Sequence, residues 1–105
     1  MAQFDVYRNT DPASRAIYPL LLDVQIDLLS TLNTRVVVPL CPASAMKDKL
    51  LGKLTPALDI AKKQFAMLTP QLAGVAIRHL GPQTGRLAGQ RQAIIAALDF
   101  LITGI

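Results

Sequence analysis

The sequence has few of the side chains that carry out chemistry. Its 105 residues contain no Glu, no Trp, one Cys and one His, and all seven acidic residues are Asp. Metal sites need several His, Cys or carboxylate ligands at short spacing, and no such spacing occurs around His79 or Cys41. A phosphate-binding Gly-rich loop is also missing from the sequence. We therefore expect no metal, no cofactor and no enzymatic activity.

The single cysteine excludes a disulfide within the chain and fits a reducing compartment. Cys41 lies at the end of a predicted strand, where we expect a buried or half-buried thiol. The first residues show no positive segment followed by an apolar one, as a secretory signal requires. The longest apolar stretch, residues 94–105, includes Asp99 and is shorter than the roughly 20 residues of a membrane helix. The sequence predicts a cytoplasmic protein without a membrane segment.

The balance of charge is basic, with a net charge of +4 and an isoelectric point near 9.6. The cations are dispersed and form no run of the kind used by nucleic-acid-binding arms. An acidic protein tail is therefore a better candidate partner than DNA or RNA. The length predicts a single domain over residues 1–105. A small core that is poor in aromatic residues also favours a homodimer.

Short segments with the composition of β-strands fill most of the chain. The run Val36-Val37-Val38 is the strongest signal, because β-branched side chains suit a pleated backbone. Short strands joined by tight turns predict a small, closed or partly open barrel. The further predicted elements are strands around Phe4–Tyr7 and Leu20–Val24, a hairpin from Leu58 to Leu68 with its turn at Lys62-Lys63-Gln64, and a strand Val75–Leu80 closed by Gly81-Pro82.

The end of the chain has a different, helical pattern. Apolar residues recur at helical spacing from Thr84, a candidate N-cap, to Ile102. A second, weaker apolar stripe with Ala93 and Phe100 lies on the opposite side. Two apolar faces indicate a helix that packs on its own barrel and also meets a partner, although a helix wrapped entirely by its own domain remains an alternative.

Binding is favoured over catalysis at the remaining polar positions. His79 is more readily explained as a structural or exposed residue than as the general base of a ribonuclease. Asp23 and Asp27 are expected to form turns or accept local hydrogen bonds. The residues that invite a binding function are apolar ones that the fold need not use. These are Leu28 and Leu29, between two predicted strands, and the terminal Ile102–Ile105.

Three blocks of the sequence together resemble the CcdB family of bacterial toxins. They are Phe4–Asn9, then Asp23–Leu29 with Arg35–Leu40, and finally Phe100–Ile105, which ends in Gly-Ile. The resemblance implies a mainly β fold with a C-terminal α-helix, a small SH3-like barrel shared with toxins of the MazF type. It also implies a homodimer that binds the gyrase A subunit, traps gyrase on cleaved DNA, and is neutralised by a cognate antitoxin. Contact with DNA would then occur only indirectly, through the antitoxin.

The resemblance also suggests which residues contact each partner. In the best-known family pattern the chain ends in Trp-Gly-Ile, and Thr103 replaces that Trp here, so we expect weaker poisoning of gyrase or a shifted target preference. Asp99 likewise stands in place of a neutral amide. The gyrase contacts implied by the family are Phe4, Leu28, Leu29, Asp99, Thr103, Gly104 and Ile105.

The antitoxin of such a toxin has an acidic, disordered segment that folds on binding. We expect it to bind the lysine-bearing segment Pro42–Lys53, which is predicted to be either a short helix or a loop. The contacts expected there are Met46, Lys47, Lys49, Leu50, Leu51 and Lys53. Two alternatives remain open at this point. One is an mRNA-cleaving toxin on the same barrel, and the other is a degenerate relative that binds an antitoxin but poisons gyrase weakly or not at all.

Overall fold

A curled β-sheet and one helix make up the chain in the computed structural model, which describes residues 2–27, 31–46 and 52–104. Short 3₁₀ helices connect several of the strands, at Ala43–Met46, Thr69–Gln71, Ile77–His79 and Ala88–Gln90. The strands are β1 (Asp5–Asn9), β2 (Leu20–Asp23), β3 (Thr34–Pro42), β4 (Ala57–Ile60), β5 (Lys63–Met67), β6 (Ala73–Ala76) and β7 (Leu80–Arg86), and the helix is α1 (Arg91–Thr103).

All seven strands belong to one antiparallel sheet with the order β4-β5-β3-β2-β1-β7, and β6 also pairs with β3. The long strand β3 curls the sheet. Its first half pairs with β6 over Thr34–Val37, and its second half pairs with β5 over Leu40–Pro42. The sheet forms a half-barrel in which β4, β6 and β7 are each paired on one side only. The predicted mainly β fold with a C-terminal helix, on a small barrel, is therefore confirmed.

The core lies inside the curl of the sheet, and α1 covers it. From the helix, Ile94 and Ala97 are fully buried and reach the aliphatic side chains of the strands. Leu87, just before the helix, is also buried. No helix within the described ranges is long and apolar enough to cross a membrane. The buried core cluster consists of Phe4, Val6, Leu22, Val24, Val38, Leu40, Leu58, Ile60, Met67, Leu87, Ile94 and Ala97.

The hairpin of β4 and β5 is present, but its turn is tighter than predicted. Ile60 pairs directly with Lys63, so the turn consists of Ala61 and Lys62 alone. Both residues have positive φ angles, 51° and 68°. Two consecutive positive φ angles are the mark of a type I′ turn, whose twist matches that of the strands. The polar run Lys62-Lys63-Gln64 thus predicted the hairpin correctly, but the turn begins one residue earlier, at Ala61.

The predicted strand Val75–Leu80 is wrong, because the chain forms a 3₁₀ turn in its middle. Strand β6 ends at Ala76, and β7 begins only at Leu80. Gly81 and Pro82 therefore lie within β7 instead of closing a strand. Pro is tolerated there because β7 is an edge strand, where one side of the backbone needs no partner. Gly81 fits because a Cβ at this position would lie only 2.9 Å from Thr10 Cγ2.

The helix begins seven residues later than Thr84, at Arg91. Thr84 and Gly85 belong to β7, where Gly85 pairs with Val6 of β1. This pairing with β1 overrides the helical spacing of the apolar residues. Between β7 and α1, the Gln90 side chain accepts the Asp59 backbone N–H at 3.0 Å and donates to the Asp59 carbonyl at 2.9 Å. A side-chain amide thereby occupies the outer edge of β4.

Candidate functional site

The last turn of α1 carries apolar side chains that the core does not use. Ile102 is 77% exposed and Phe100 36% exposed, whereas Ile94 and Ala97 on the same helix are fully buried. Asp99 is exposed and adds one negative charge to this end. Exposed apolar side chains clustered at one place are typical of a contact with another protein. We call Asp99–Gly104 the helix end.

The backbone of the helix end is closed by its own residues. Gly104 adopts a left-handed conformation with φ of 74°, and its N–H donates to the Phe100 carbonyl at 2.9 Å. This is the usual way for a glycine to end a helix. The Thr103 hydroxyl donates to the Asp99 carbonyl at 2.7 Å. These two hydrogen bonds close the turn, while the Ile102 side chain and part of the Phe100 side chain stay exposed.

A lysine from the loop before β4 reaches the helix end. The Lys53 Nζ atom lies 5.6 Å from the centroid of the Phe100 ring, a favourable position for a cation–π interaction. Both residues are partly or largely exposed. Lys53 was predicted to contact the antitoxin, and the helix end was predicted to contact gyrase. One residue of the predicted antitoxin surface, Lys53, therefore lies beside the helix end at Phe100.

Phe4 connects the barrel to the first turn of α1. Its N–H donates to the Asp23 carbonyl at 2.6 Å, and its own carbonyl accepts the Leu87 N–H at 2.8 Å. The Arg91 guanidinium lies 5.5 Å from the centroid of the Phe4 ring. The Phe4 backbone has φ of 73°, a conformation that costs an aromatic residue about 1–3 kcal/mol. Packing and both hydrogen bonds hold this strained residue in place.

A buried ion pair anchors the segment that leads away from β2. Arg35 and Asp23 side chains are both 0% exposed, and Arg35 Nη2 lies 2.6 Å from Asp23 Oδ2. Arg35 Nε also donates to Asp23 Oδ2 at 2.8 Å, and Asp23 Oδ1 accepts the Gln25 N–H at 3.0 Å. The Gln25 side chain in turn accepts the Val36 N–H at 3.1 Å. Residues 23–25 are thereby fixed against β3.

The pKa of Asp23 reflects the cost of this burial. Burial raises it above its ordinary value of 3.8, and the hydrogen bonds from Arg35 and the Gln25 N–H act in the opposite direction. Desolvation therefore outweighs the attraction between the two side chains. A pair of this kind adds little net stability but is costly to break, because either partner alone is a buried unpaired charge.

The anchored segment next presents apolar residues to solvent. Ile26 is 51% exposed, and Leu32, two residues before β3 begins, is 47% exposed. Asp27 Oδ1 accepts the Gln3 N–H at 2.7 Å and so ties the segment to the residue before Phe4. Asp23 accepts a local hydrogen bond from the Gln25 N–H, as predicted, whereas Asp27 accepts its bond from a residue 24 positions away, so the prediction of a local bond is wrong for Asp27. This segment and the start of α1 are both attached to the same short stretch, Gln3–Phe4.

A second polar cluster lies within β1. Tyr7 Oη donates to Asp5 Oδ2 at 3.3 Å, and Arg86 Nε lies 3.2 Å from Asp5 Oδ1. Burial raises the pKa of Tyr7 to about 12, and the neighbouring Asp5 carboxylate adds to this effect.

In the described parts of the chain, no three His, Cys or acidic side chains come together as a metal site. His79 lies in a 3₁₀ helix instead of the predicted strand.

Comparison with protein families agrees with this architecture. The family model described as "CcdB protein" matches residues 3–104 of the chain, a range that includes the whole sheet and the whole helix. The chain belongs to the CcdB family. The resemblance of the three sequence blocks is thereby confirmed, and the family places the chain among the toxins of toxin–antitoxin systems.

Of the residues that the CcdB resemblance assigned to gyrase, the structure brings Asp99, Thr103 and Gly104 together at the helix end. Phe4 is only 3% exposed and belongs to the core. Leu28, Leu29 and Ile105 lie outside the described residues. All seven assignments stay predictions.

Of the residues expected to contact the antitoxin, Met46 and Lys53 are described. Met46 is half-buried at the end of a 3₁₀ helix, with its Sδ atom 3.8 Å from Sγ of Cys41, whose thiol is buried as expected. Lys53 is exposed beside Phe100. The other expected antitoxin contacts, Lys47, Lys49, Leu50 and Leu51, lie outside the described residues.

Sequence reasoning missed two exposed apolar residues and the buried Asp23–Arg35 ion pair. Ile26 and Leu32 flank the predicted pair Leu28-Leu29, and the only signal was an apolar run that continues beyond the strand into a polar turn. The ion pair had a clearer signal. Asp23 pairs with Val37, so Arg35 is its diagonal neighbour on the same face of the sheet. A register for β2 and β3 would have predicted the contact.

Proposed function

We propose that this chain is the toxin of a toxin–antitoxin pair that binds the gyrase A subunit and traps gyrase on cleaved DNA. It acts by binding and not as an enzyme. The observation that supports the proposal is the helix end, where Ile102 is 77% exposed beside a partly exposed Phe100. Buried apolar and aromatic side chains supply most of the energy of such interfaces.

The proposal includes a homodimer that presents two helix ends to a two-fold symmetric target. A domain of this size with a small aliphatic core gains stability from a second copy. Sedimentation equilibrium of the purified protein tests this point directly. A monomer at micromolar concentration would contradict it.

Thr103 is expected to make the poisoning weaker than in a family member that ends in Trp-Gly-Ile. Its hydroxyl is bonded to the Asp99 carbonyl, and a Thr side chain offers no ring to stack on a partner. The same observation favours a second candidate function. In it the chain binds the antitoxin but poisons gyrase weakly or not at all.

The antitoxin would neutralise the toxin through an acidic, disordered segment. The net charge of +4 suits such a partner. Lys53 beside Phe100 would allow the antitoxin to compete with gyrase for the helix end. Binding to one partner would then weaken binding to the other.

The deciding experiment is a gyrase cleavage assay with purified protein, ATP and supercoiled plasmid, in which linear DNA is scored after denaturation. Ile102→Asp and a variant lacking Gly104 and Ile105 test the helix end. Ile17→Asp is the matched control, since Ile17 is also exposed, at 64%, but lies in the loop between β1 and β2.

We expect linear DNA from the unmodified protein and from Ile17→Asp, and little from the two variants of the helix end. Equal amounts from all four proteins would contradict a role for this surface. No linear DNA from any of them, with antitoxin binding intact, would support the degenerate relative. Degradation of RNA in a parallel reaction would support the nuclease instead.

A further inference from the structure

A tight turn, Ala2–Asp5, precedes β1 and carries the strained residue Phe4. The Asp5 N–H donates to the Ala2 carbonyl at 3.1 Å and closes the turn. The Ala2 N–H donates to Asp5 Oδ2 at 3.0 Å and supports it. Phe4 is the third residue of the turn and has φ of 73°, and a type II turn requires a positive φ at that place. We call Ala2–Asp5 the Phe4 turn.

The Phe4 turn uses a residue that is poorly suited to it. A positive φ is ordinary for Gly and tolerated by Asn, but it is an outlier for a bulky aromatic residue. Such strain persists only where the surrounding structure holds the residue, and it concentrates at functional sites. The Phe4 backbone is bonded to Asp23 on one side and to Leu87 on the other. The turn is therefore a candidate for positioning these two parts of the chain.

Gln3 is the residue of the Phe4 turn that reaches the segment after β2. Its N–H donates to Asp27 Oδ1 at 2.7 Å, and its side-chain amide donates to the Val24 carbonyl at 3.1 Å. A hydrogen bond from a backbone N–H to a carboxylate is roughly twice as strong as one between neutral groups. Asp27 is itself exposed, so the core does not hold it in place. The bond to Gln3 performs this task instead.

The backbone around Ile26 is held from both sides. Before it, the Gln25 N–H donates to Asp23 Oδ1 at 3.0 Å. After it, Asp27 is bonded to Gln3. The Ile26 side chain nevertheless stays 51% exposed. An exposed apolar side chain on a fixed backbone suits a protein contact, because little conformational freedom is lost when a partner covers it.

We propose that Asp27 is a positioning residue for target binding, and that by accepting the Gln3 N–H it holds Ile26 in place as an apolar contact. The identity of the target as gyrase rests on the proposed function. In this arrangement Asp27 does not touch the target and acts only through Ile26. The Phe4 turn is also bonded to Leu87, just before α1, so Ile26 and the helix share one anchor.

Binding of three variants to complete gyrase, measured by biolayer interferometry, tests the proposal. Asp27→Ala removes the acceptor of the Gln3 N–H. Asp27→Asn removes the charge but keeps an oxygen that accepts this N–H. Asp11→Ala is the matched control, because Asp11 Oδ1 also accepts a backbone N–H, that of Ala13 at 3.0 Å, in the loop at the other end of β1.

We expect a Kd about five- to tenfold higher in Asp27→Ala, and a change of less than about threefold in Asp27→Asn and in Asp11→Ala. Equal losses in Asp27→Asn and Asp27→Ala would show that the charge itself meets the target, and would overturn the proposal. An unchanged Kd in Asp27→Ala would also overturn it. Urea denaturation should give similar midpoints for Asp27→Ala and Asp11→Ala, and a drop confined to Asp27→Ala would assign the loss to stability instead.

A double-mutant cycle with Ile26→Ala tests whether Asp27 acts through Ile26. Ile26→Ala alone should raise the Kd at least about fivefold, since it removes the apolar contact. Once that side chain is absent, Asp27→Ala should cost little further affinity. Two losses that simply multiply would overturn the proposal.

Amide hydrogen exchange, measured by NMR without gyrase, separates this proposal from the proposed function. The Gln3 amide should exchange about tenfold faster in Asp27→Ala than in the unmodified protein or in Asp27→Asn. An unchanged rate would overturn the positioning role of Asp27. Failure of the unmodified protein to bind gyrase, with the expected exchange rates, would refute the proposed function and leave the bond between Gln3 and Asp27 supported.

Discussion

Replacement of Asp23 by Asn tests most directly how much the buried Asp23–Arg35 ion pair contributes to holding residues 23–25 against β3. The amide keeps the size of the side chain and the oxygen that accepts the Gln25 N–H. It removes the negative charge that Arg35 contacts at 2.6 Å, while the Arg35 side chain remains 0% exposed. The guanidinium is then a buried cation without a counter-ion.

The expected loss is large compared with the stability of the domain. Breaking a buried ion pair by removing one partner costs about 3–5 kcal/mol, out of about 5–15 kcal/mol for a typical domain. The Tm should fall by at least about 10 °C. Urea denaturation followed by circular dichroism measures the change, at fixed protein concentration because the stability of a dimer depends on concentration.

Two further variants test the physical reason. Asp59→Asn changes an exposed Asp in β4 and should cost less than about 0.5 kcal/mol. Asp23→Asn combined with Arg35→Met removes both charges and should be more stable than Asp23→Asn alone. A loss below about 1 kcal/mol in Asp23→Asn, or a double variant that is no more stable than Asp23→Asn, would refute the reasoning.

Three other outcomes are expected. Thr103→Trp should tighten binding to gyrase by about 2 kcal/mol, or about thirtyfold, in a titration of linear DNA formation; unchanged affinity would contradict this. The pKa of Tyr7, about 12 against 10.0 in the unfolded chain, means that its contribution to stability is complete below pH 10 and is lost between pH 10 and 12. The loss should be about 2–3 kcal/mol, seen by urea denaturation across this range and abolished in Tyr7→Phe. Replacement of Lys47, Lys49 and Lys53 together by Ala should weaken antitoxin binding measured by calorimetry, and intact affinity would exclude that segment as a contact.

The parts of the fold that the sequence predicted are those governed by local chemistry. The run Val36-Val37-Val38 lies in β3, and the apolar segments around Lys62-Lys63 pair as a hairpin. β-Branched residues and polar turns act within a few residues, so a single sequence is enough to show them.

The errors occurred where a distant strand decides the local structure. Gly81-Pro82 appeared to end a strand, yet β1 pairs with β7 beyond it, and the edge position makes Pro82 acceptable. The same pairing holds Thr84 and Gly85 in the sheet and delays the helix to Arg91. Neither the partner strand nor its register can be obtained from local spacing.

The candidate site likewise has parts that the sequence predicted and parts that it did not. The apolar helix end was predicted, because its residues follow one another along the chain. The burial of Phe4, its positive φ and the Asp23–Arg35 pair were not, since each depends on contacts between residues far apart in sequence. The cleft lined by Arg8, Arg15, Leu20, Lys63 and Thr84 combines five separate stretches of chain and leaves no pattern in any one of them.

The Gln90 amide at the edge of β4 affects how copies of the toxin can associate through that edge. An open strand edge is a template on which a second chain can add its own strand, and this is a common route to aggregation. At Asp59 both backbone groups are already engaged by Gln90, at 3.0 Å and 2.9 Å. A strand from a neighbouring molecule would first have to displace that side chain. Gln90 thus opposes polymerisation through the exposed edge of β4 at Asp59.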